Sequence, residues 1–358
     1  MDGHLNGHDT LRIGFIGASN IAVKHAIALS RIPGVQLVAV CDINDERRKA
    51  FVERFPVADY ADARQMLEKE SLQVVTVMTP SGNHADMTCL VAGYGCHVIV
   101  EKPMALKLED ADRQIESCRQ HGVRLFTVMQ NRFSQPVLAL RRALEENRFG
   151  KLVMATARVR WHRSQEYYDE AKWRGTWNRD GGVFSNQACH HIDMLRWLMG
   201  DVESVVAEKA SRLANIEAED TGAAIFRFAN GGLGVLEATT AWRPKDMEGT
   251  IALAGEGGSV EIGGFIMDKL RHWSFAVERE EDQTIWQTHG ESPKIIAWTH
   301  ERYLRDVFDA LRQGRPAMVE GEEGRKTVEL LNAIYEASET GSEVRLRFRP
   351  KHSKLGRD

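Results

Sequence analysis

The chain has 358 residues, 43% of them hydrophobic and 27% charged, with a formal net charge of −4. At roughly 100–200 residues per domain, that length accommodates two domains, each able to bury its own core. The near-neutral balance, with no Lys/Arg-rich run, excludes the strongly basic face of a nucleic-acid binder, and no apolar run approaches the ~18 residues of a membrane helix.

The first ten residues, MDGHLNGHDT, are polar and are expected to form a short loose leader, neither signal nor transit peptide. The cysteines (Cys41, Cys89, Cys96, Cys118, Cys189) are scattered, odd in number and form no CxxC pair. They argue against a disulfide framework or structural zinc, and for a reducing, cytoplasmic location.

From residue 11 the chain alternates short apolar runs with helical patterns. Strands are predicted at Leu11–Ile16, Val35–Cys41, Val74–Met78, His97–Val100 and Val123–Met129, with helices at Asp45–Arg54, Asn83–Ala92 and Leu108–His121 between them. Such repetition gives a doubly wound parallel sheet covered on both faces. Beyond Gln130 the pattern changes. A helix over Gln135–Glu146 precedes Lys151–His162, where Val153, Ala155, Ala157, Val159 and Trp161 alternate as in a two-faced strand. Thr221–Ala229 and Leu233–Ala241 flank Asn230-Gly-Gly, and Ile251–Ala254 and Val260–Ile262 flank Gly-Glu-Gly-Gly, two hairpin signals. Trp273–Val277 and Thr284–Gln287 extend the predicted sheet. Helices follow at Trp298–Arg312 and Arg325–Glu339, then a strand at Val344–Phe348. The expected fold class is therefore α/β: an N-terminal Rossmann domain over 11–130, then an α+β domain over 131–358 with an open, mostly antiparallel sheet. Its last helices are expected to pack back toward the first domain.

The turn Gly14-Phe-Ile-Gly17-Ala-Ser19-Asn20-Ile21-Ala22 sits where the first strand meets the first helix. A dinucleotide pyrophosphate needs backbone N–H groups there, with no side chain in the way. Gly17 supplies the tight turn and Ala22 the close helix–strand packing; Ser19 stands where the middle glycine is expected. Asp42 closes the second strand about 20–25 residues on, as a ribose-binding acid should, and disfavours a 2′-phosphate. NAD is thus the expected cofactor, although Arg47 and Arg48 lie just downstream. Thr79, Pro80, Asn83 and His84 form the turn after the third predicted strand, and Glu101-Lys102-Pro103 ends the fourth. Both face the crevice over the strand ends, and Gln130 closes the domain. Lys102 suits stabilisation of an alkoxide, though its position also fits an ordinary solvated lysine.

In the second half, Asp180-Gly-Gly precedes Asn186-Gln187-Ala-Cys-His190-His191-Ile-Asp193. At about 100° per residue, Asn186, His190 and Asp193 share one helical face, so His190 is the candidate acid/base. His191 falls on the apolar face and is expected to be a hydrogen-bonded core histidine. Adjacent residues do not face one site, so no metal is predicted. Arg163, Tyr168 and Arg174 lie in a Trp-rich connection suited to anions, or to a subunit interface.

Taken together, the βα turn, the Asp ending the second strand, the TP–N–H turn, the EKP tripeptide and the GG…H–x–x–D segment resemble the Gfo/Idh/MocA oxidoreductases. In that resemblance the family's lysine falls on Lys102 and its histidine on His190, while its usual aspartate falls on Asn186. The YYD…WRGTW…DGG…NQ…H…D string, with Ile216-Glu-Ala-Glu-Asp220-Thr, is similar to the UDP-N-acetylglucosaminuronate 3-dehydrogenases, where Asn is normal at that position. The resemblance implies NAD-dependent oxidation of the 3-hydroxyl of UDP-GlcNAcA, in surface-polysaccharide biosynthesis, by a homotetramer packed through its open sheets. His190 would take the hydroxyl proton and Lys102 would stabilise the alkoxide, or act as the base. Asn186 and Gln187 would orient the sugar, and Arg163, Tyr168 and Arg174 would meet its carboxylate and pyrophosphate. The expected cofactor set is Gly17, Ser19, Asn20, Ile21, Asp42, Thr79, Pro80, Asn83, His84, Glu101, Lys102 and Gln130. An inositol or aldose dehydrogenase, an NAD-dependent glycosidase and a non-catalytic NAD-sensing regulator are the alternative readings.

Overall fold

The computed structural model describes residues 10–290, 298–346 and 354–356. The expected leader at 1–10 therefore lies almost wholly outside the described residues. Two compact units are present: residues 1–130 with 295–325, and residues 131–294 with 326–358.

In the first unit, strands β1 (Leu11–Ile16), β2 (Val35–Cys41), β3 (Ala58–Tyr60), β4 (Val74–Val77), β5 (His97–Val100) and β6 (Leu125–Thr127) pair in parallel in the order β3-β2-β1-β4-β5-β6. Helices α1 (Asn20–Leu29), α2 (Asp45–Arg54), α3 (Ala63–Lys69), α4 (His84–Gly93) and α5 (Leu108–Gln120) connect them. Central strands must be apolar on both sides, and all of Val74–Val77 is buried. Helix α2 starts where the Asn44 side chain accepts the Arg47 N–H at 2.9 Å, with Asp45 and Glu46 in the first turn. Asp62 caps α3 in the same way at Gln65. The strand order reverses between β1 and β4, so their C-terminal ends frame the crevice where such sheets take ligands.

The second unit opens with α6 (Gln135–Glu145) and β7 (Leu152–Arg160), then α7 (Gln165–Asp169) and α8 (Cys189–Met199). Strands β8 (Val202–Ala210), β9 (Thr221–Phe228), β10 (Leu233–Thr239), β11 (Glu248–Gly255), β12 (Gly258–Gly263) and β13 (Lys269–Phe275) follow, then helix α9 (Glu280–His289). Helix α10 (Trp298–Gln313) belongs to the first unit, where Arg312 donates to the Gly34 carbonyl at 2.6 Å. Helix α11 (Gly321–Thr340) and β14 (Val344–Arg345) close the described chain. The sheet order is β13-β12-β11-β7-β10-β9-β8-β14, antiparallel except between β7 and β10. Along β7 and just past its end, Ala155, Ala157, Val159 and Trp161 are buried. The intervening Arg158 and Arg160 join Glu237, Glu248, Glu261 and Arg271 in a lattice of ion pairs on the opposite face.

Both hairpins form as the Asn-Gly and Gly-Glu-Gly-Gly signals predict, with Gly231 at φ +84°. Two expectations fail. Thr284–Gln287 lies in α9, not a strand: Glu280, Glu281 and Asp282 favour a helix N-terminus, and the Asp282 carboxylate accepts the Arg279 N–H at 2.8 Å. The helix predicted from Arg325 begins at Gly321. Residues 347 and 348 of the expected last strand lie outside the described residues.

Candidate active site

The predicted cofactor residues of the first unit gather at the C-terminal strand ends. Gly17 follows β1 at φ +109°, and a Cβ there would stand 2.6 Å from the Met78 carbonyl oxygen. Only glycine lets the turn pass the end of β4 so closely. The Asp42 carboxylate holds the same turn: Oδ2 accepts the Ala18 N–H and Oδ1 the Asn44 N–H, each at 2.8 Å. Each oxygen keeps a second lone pair that ribose hydroxyls can use. Ser19 is the N-cap of α1 in extended conformation, and its side chain makes no cap hydrogen bond, so its hydroxyl is not spent on the helix. Asn20 is exposed and Ile21 half-buried in the first turn. Arg48, a possible 2′-phosphate ligand, is instead engaged by Asp45, Asp59 (2.8 Å) and the Asp42 carbonyl (2.9 Å).

After β4, Thr79 and Pro80 are half-buried, and the Thr79 hydroxyl has no partner among the described residues. Such an orphaned buried polar atom fits a site completed by a dinucleotide. Asn83 ends a short 3-10 turn, and Gln130 is buried after β6. His84 is fully committed to the protein: Nδ1 lies 2.8 Å from the Pro103 carbonyl and Nε2 2.8 Å from that of Thr79. It lies between the Thr-Pro turn and the Glu-Lys-Pro turn with both nitrogens facing protein carbonyls, and in its neutral form it donates to one of them. Burial pulls its pKa below the usual histidine value, against the upward pull of the two carbonyls. Lys102 is half-buried at the end of β5, whereas the neighbouring Glu101 side chain turns inward to His25.

The second unit builds its segment on buried acids. Asp180 accepts from the Gly175 N–H at 2.8 Å and from the Asn186 side-chain amide. Gly182 is pressed against Glu219, where any Cβ would lie 2.2 Å from the Glu219 carbonyl. Glu219 in turn accepts from the Phe184 N–H at 3.0 Å and the Tyr335 hydroxyl at 2.8 Å. Burial raises its carboxyl to about 7, ahead of the lowering effect of these hydrogen bonds. Helix α8 begins only at Cys189, so Asn186 stands in the preceding turn and shares no helical face with His190. His190, half-buried, is the second helical residue. Gln187 is buried with Oε1 unpartnered among the described residues.

Asp193, expected beside His190 on a polar face, is enclosed instead. Arg132 grips it through two hydrogen bonds of 2.7 and 2.6 Å, and the Thr327 hydroxyl adds a third at 2.7 Å. Burial would raise this carboxyl, but Arg132 outweighs it and holds the pKa below the usual range. His191 is a core histidine as expected, packed edge-on against Trp161. It is not hydrogen-bonded: neither ring nitrogen has a partner among the described residues, and burial brings its pKa to about 3.

The arginines of the Trp-rich connection are not free cations. Arg163 pairs with Asp246 at 3.2 Å, and Arg174 with Glu170 at 2.8 Å. Both guanidinium groups lie over the Tyr167 ring, Arg174 at 4.1 Å from its centroid. Tyr168 is buried and hydrogen-bonded to Thr240 at 2.9 Å, its hydroxyl pushed by burial to about 12. Sequence reasoning missed Arg132, Glu219 and Tyr335 as supports. Their partners are 35–153 residues away in sequence, and only the acid-rich Ile216–Asp220 stretch hinted at one of them.

The glycine turn after β1, the acid closing β2 and the lysine past β5 have the arrangement expected of a dinucleotide-binding oxidoreductase. Comparison with known proteins agrees: residues 11–129 match the NAD-binding Rossmann fold, and residues 141–346 the C-terminal α/β domain, of the Gfo/Idh/MocA oxidoreductase family. The chain belongs to this family and is a sugar or polyol dehydrogenase. It is similar to the WlbA dehydrogenase from Bordetella pertussis, solved in complex with NADH and UDP-GlcNAcA. That likeness has a TM-score of 0.91 and 36% identity over 94% of this chain and 98% of that one. The corresponding enzyme from Chromobacterium violaceum, solved with the same two ligands, gives 0.88 and 38% over 94% and 96%. A myo-inositol 2-dehydrogenase from Thermotoga maritima is 26% identical over 94% of this chain and 98% of its own. Among the described residues no helix is long and apolar enough to cross a membrane.

Proposed function

We propose that the enzyme oxidises the 3-hydroxyl of UDP-N-acetylglucosaminuronic acid to a 3-keto sugar. The observation that carries this reading is the whole-chain likeness to two dehydrogenases whose structures hold NADH and UDP-GlcNAcA. Asn186 adds support, because this subfamily resemblance makes an asparagine at that position ordinary.

NAD, when bound, supplies the hydride acceptor. The chain's own residues do the rest. Backbone N–H groups of the Gly17 turn and the first turn of α1 meet the pyrophosphate, with Ser19, Asn20 and Ile21 alongside. Asp42 takes the ribose hydroxyls, and Thr79, Pro80, Asn83 and Gln130 line the strand ends. His84 and Glu101, both predicted to touch the cofactor, serve it by fixing the turns that do. His190 takes the proton of the reacting hydroxyl, because an imidazole can accept and return a proton in the neutral range. The Lys102 ammonium stabilises the developing alkoxide. Asn186 and Gln187 orient the sugar ring. Arg163 and Arg174 can reach a carboxylate or pyrophosphate only by exchanging Asp246 and Glu170 for it, with Tyr168 as a fixed wall. The enzyme works in the cytoplasm as a homotetramer. Val206 and Ile225, exposed neighbours on the ion-paired face of the sheet, support that face as the interface.

A substrate panel tests the reading. NADH formation is followed with UDP-GlcNAcA, UDP-GlcNAc, myo-inositol and glucose, with 2-oxoglutarate present as a recycling oxidant. The first sugar is expected to react fastest; reaction of the neutral polyols alone would move the enzyme to the inositol class that the Thermotoga maritima relative represents. Lys102→Ala and His190→Ala are each expected to bind NAD and lose turnover.

A further inference from the structure

Helix α1 starts at the expected cofactor turn and carries His25 on its buried side in its second turn. Nε2 of His25 lies 3.0 Å from Oε1 of Glu101, just beyond β5. The other Glu101 oxygen accepts the backbone N–H of Lys102 at 3.0 Å. His300, on α10, packs edge-on against His25 with ring centroids 5.2 Å apart. All three side chains are buried. Nδ1 of His25 has no partner among the described residues, so Nε2 is the nitrogen placed to donate its N–H to Glu101.

We propose that His25 and Glu101 are positioning residues that tie the main chain of Lys102 to the helix holding the cofactor, so that lysine and dinucleotide keep one spacing. The inference rests on Lys102 acting at the reacting hydroxyl. A lysine on an untethered turn would wander, and a misplacement near 1 Å can cost about a hundredfold in rate. Here one carboxylate grips two elements at once. Burial alone would raise the Glu101 carboxyl, but the His25 hydrogen bond and the charges of His25, His300 and Lys102 hold it at about 2. It therefore remains an anion, and a strong acceptor for both donors, throughout the neutral range. His300 packs edge-on against His25, and the burial of all three side chains limits the water that could compete for the bond. Ligand-type atoms of the three residues lie within 4.8 Å of one another, a spacing a metal ion could also use. The His25–Glu101 contact is already a hydrogen bond, which a bound metal would have to displace.

The test is a mutant cycle on single-turnover NADH formation, with enzyme in excess and NAD affinity measured alongside. Glu101→Gln keeps the shape but not the charge, and is expected to slow the hydride step by about tenfold or more, with NAD affinity nearly unchanged. His25→Leu should do the same, and His25→Gln, which restores an N–H near the Nε2 position, should recover most of the rate. In a Lys102→Ala background, followed over hours, Glu101→Gln should add almost nothing, because the group being positioned is gone. An equal loss in both backgrounds, a loss confined to NAD affinity, or a stoichiometric metal released by Glu101→Gln would overturn the proposal. Near-wild-type turnover of Lys102→Ala by itself would remove the catalytic role of the lysine, and is visible separately from the cycle. The His25→Leu and His25→Gln pair does not depend on that background, and its rescue separates a folding defect from a positioning one.

Discussion

Asp193→Asn is expected to destabilise the second unit severely. Arg132 is 0% exposed and stacks over the Trp197 ring at 5.0 Å, so its guanidinium has no route to water. Asp193 neutralises it through two hydrogen bonds of 2.7 and 2.6 Å, while Thr327 holds one of the same carboxylate oxygens at 2.7 Å. The asparagine keeps the volume but leaves a buried cation uncompensated, which costs about 3–5 kcal/mol. At about 2–4 °C per kcal/mol for a unit of this size, the melting temperature should fall by roughly 6–20 °C. Replacing both partners with apolar residues, Arg132→Met with Asp193→Leu, should recover much of the loss, because the uncompensated Arg132 charge is gone and only Arg196, 3.9 Å from Asp193, keeps a charge beside the site. Circular dichroism melts of the single and double variants read this directly. The pH dependence has a fixed sign. Asp193 has a folded pKa below its unfolded value, so its contribution is full above about pH 4 and lost as pH falls through the folded value. The gap between wild type and Asp193→Asn should therefore narrow in acid. An unchanged melting temperature in Asp193→Asn, or a double variant less stable than the single, would refute the reasoning.

Gly17→Ala places a methyl 2.6 Å from the Met78 carbonyl at φ +109°, so the turn must shift. NAD affinity by fluorescence titration should drop at least about tenfold, the backbone strain alone being worth about 1–3 kcal/mol. Asp42→Ala removes charged hydrogen bonds worth about 1.5–3 kcal/mol, so kcat/KM with NAD should fall about ten- to hundredfold. NADP use should rise little, because Arg48 stays clamped by Asp45 and Asp59; efficient NADP turnover would contradict that clamp. Glu219→Gln should stabilise the enzyme at pH 8 and leave it nearly unchanged at pH 4. The raised Glu219 carboxyl contributes fully below its unfolded value near ~4.3 and loses that contribution as pH rises through about 7. Equal melting temperatures for wild type and variant at pH 8 would count against it.

The strands and turns that carry the expected cofactor residues were legible because their signals are local. Val74–Val77 and His97–Val100 are short apolar runs, and Gly17 and Asp42 fall at the spacing the phosphate turn requires. Asn186 does not share a helical face with His190 because α8 does not extend upstream to it; Gly182 and Ser185 instead fold back on Glu219 and Asp180. Asp193 was misplaced for a related reason: periodicity assigns a side of a helix but not what packs there, and Arg132 comes from 61 residues earlier. Thr284–Gln287 looks like a strand by composition, yet the acids just before it set a helix. The His25–Glu101–His300 group had no sequence signature, since its members lie on three separate elements of the first unit. Polar side chains with partners this distant become visible only when the chain is folded.

Isotope tracing with UDP-GlcNAcA deuterated at C3 addresses the chemistry most directly. If the sugar is dehydrogenated at that carbon, mass spectrometry of the reduced nucleotide will find it one mass unit heavier, and single turnovers will be slower than with the protiated sugar. Unlabelled NADH, or none at all beside a released free sugar, would contradict the proposed reaction while leaving the dehydrogenase fold in place.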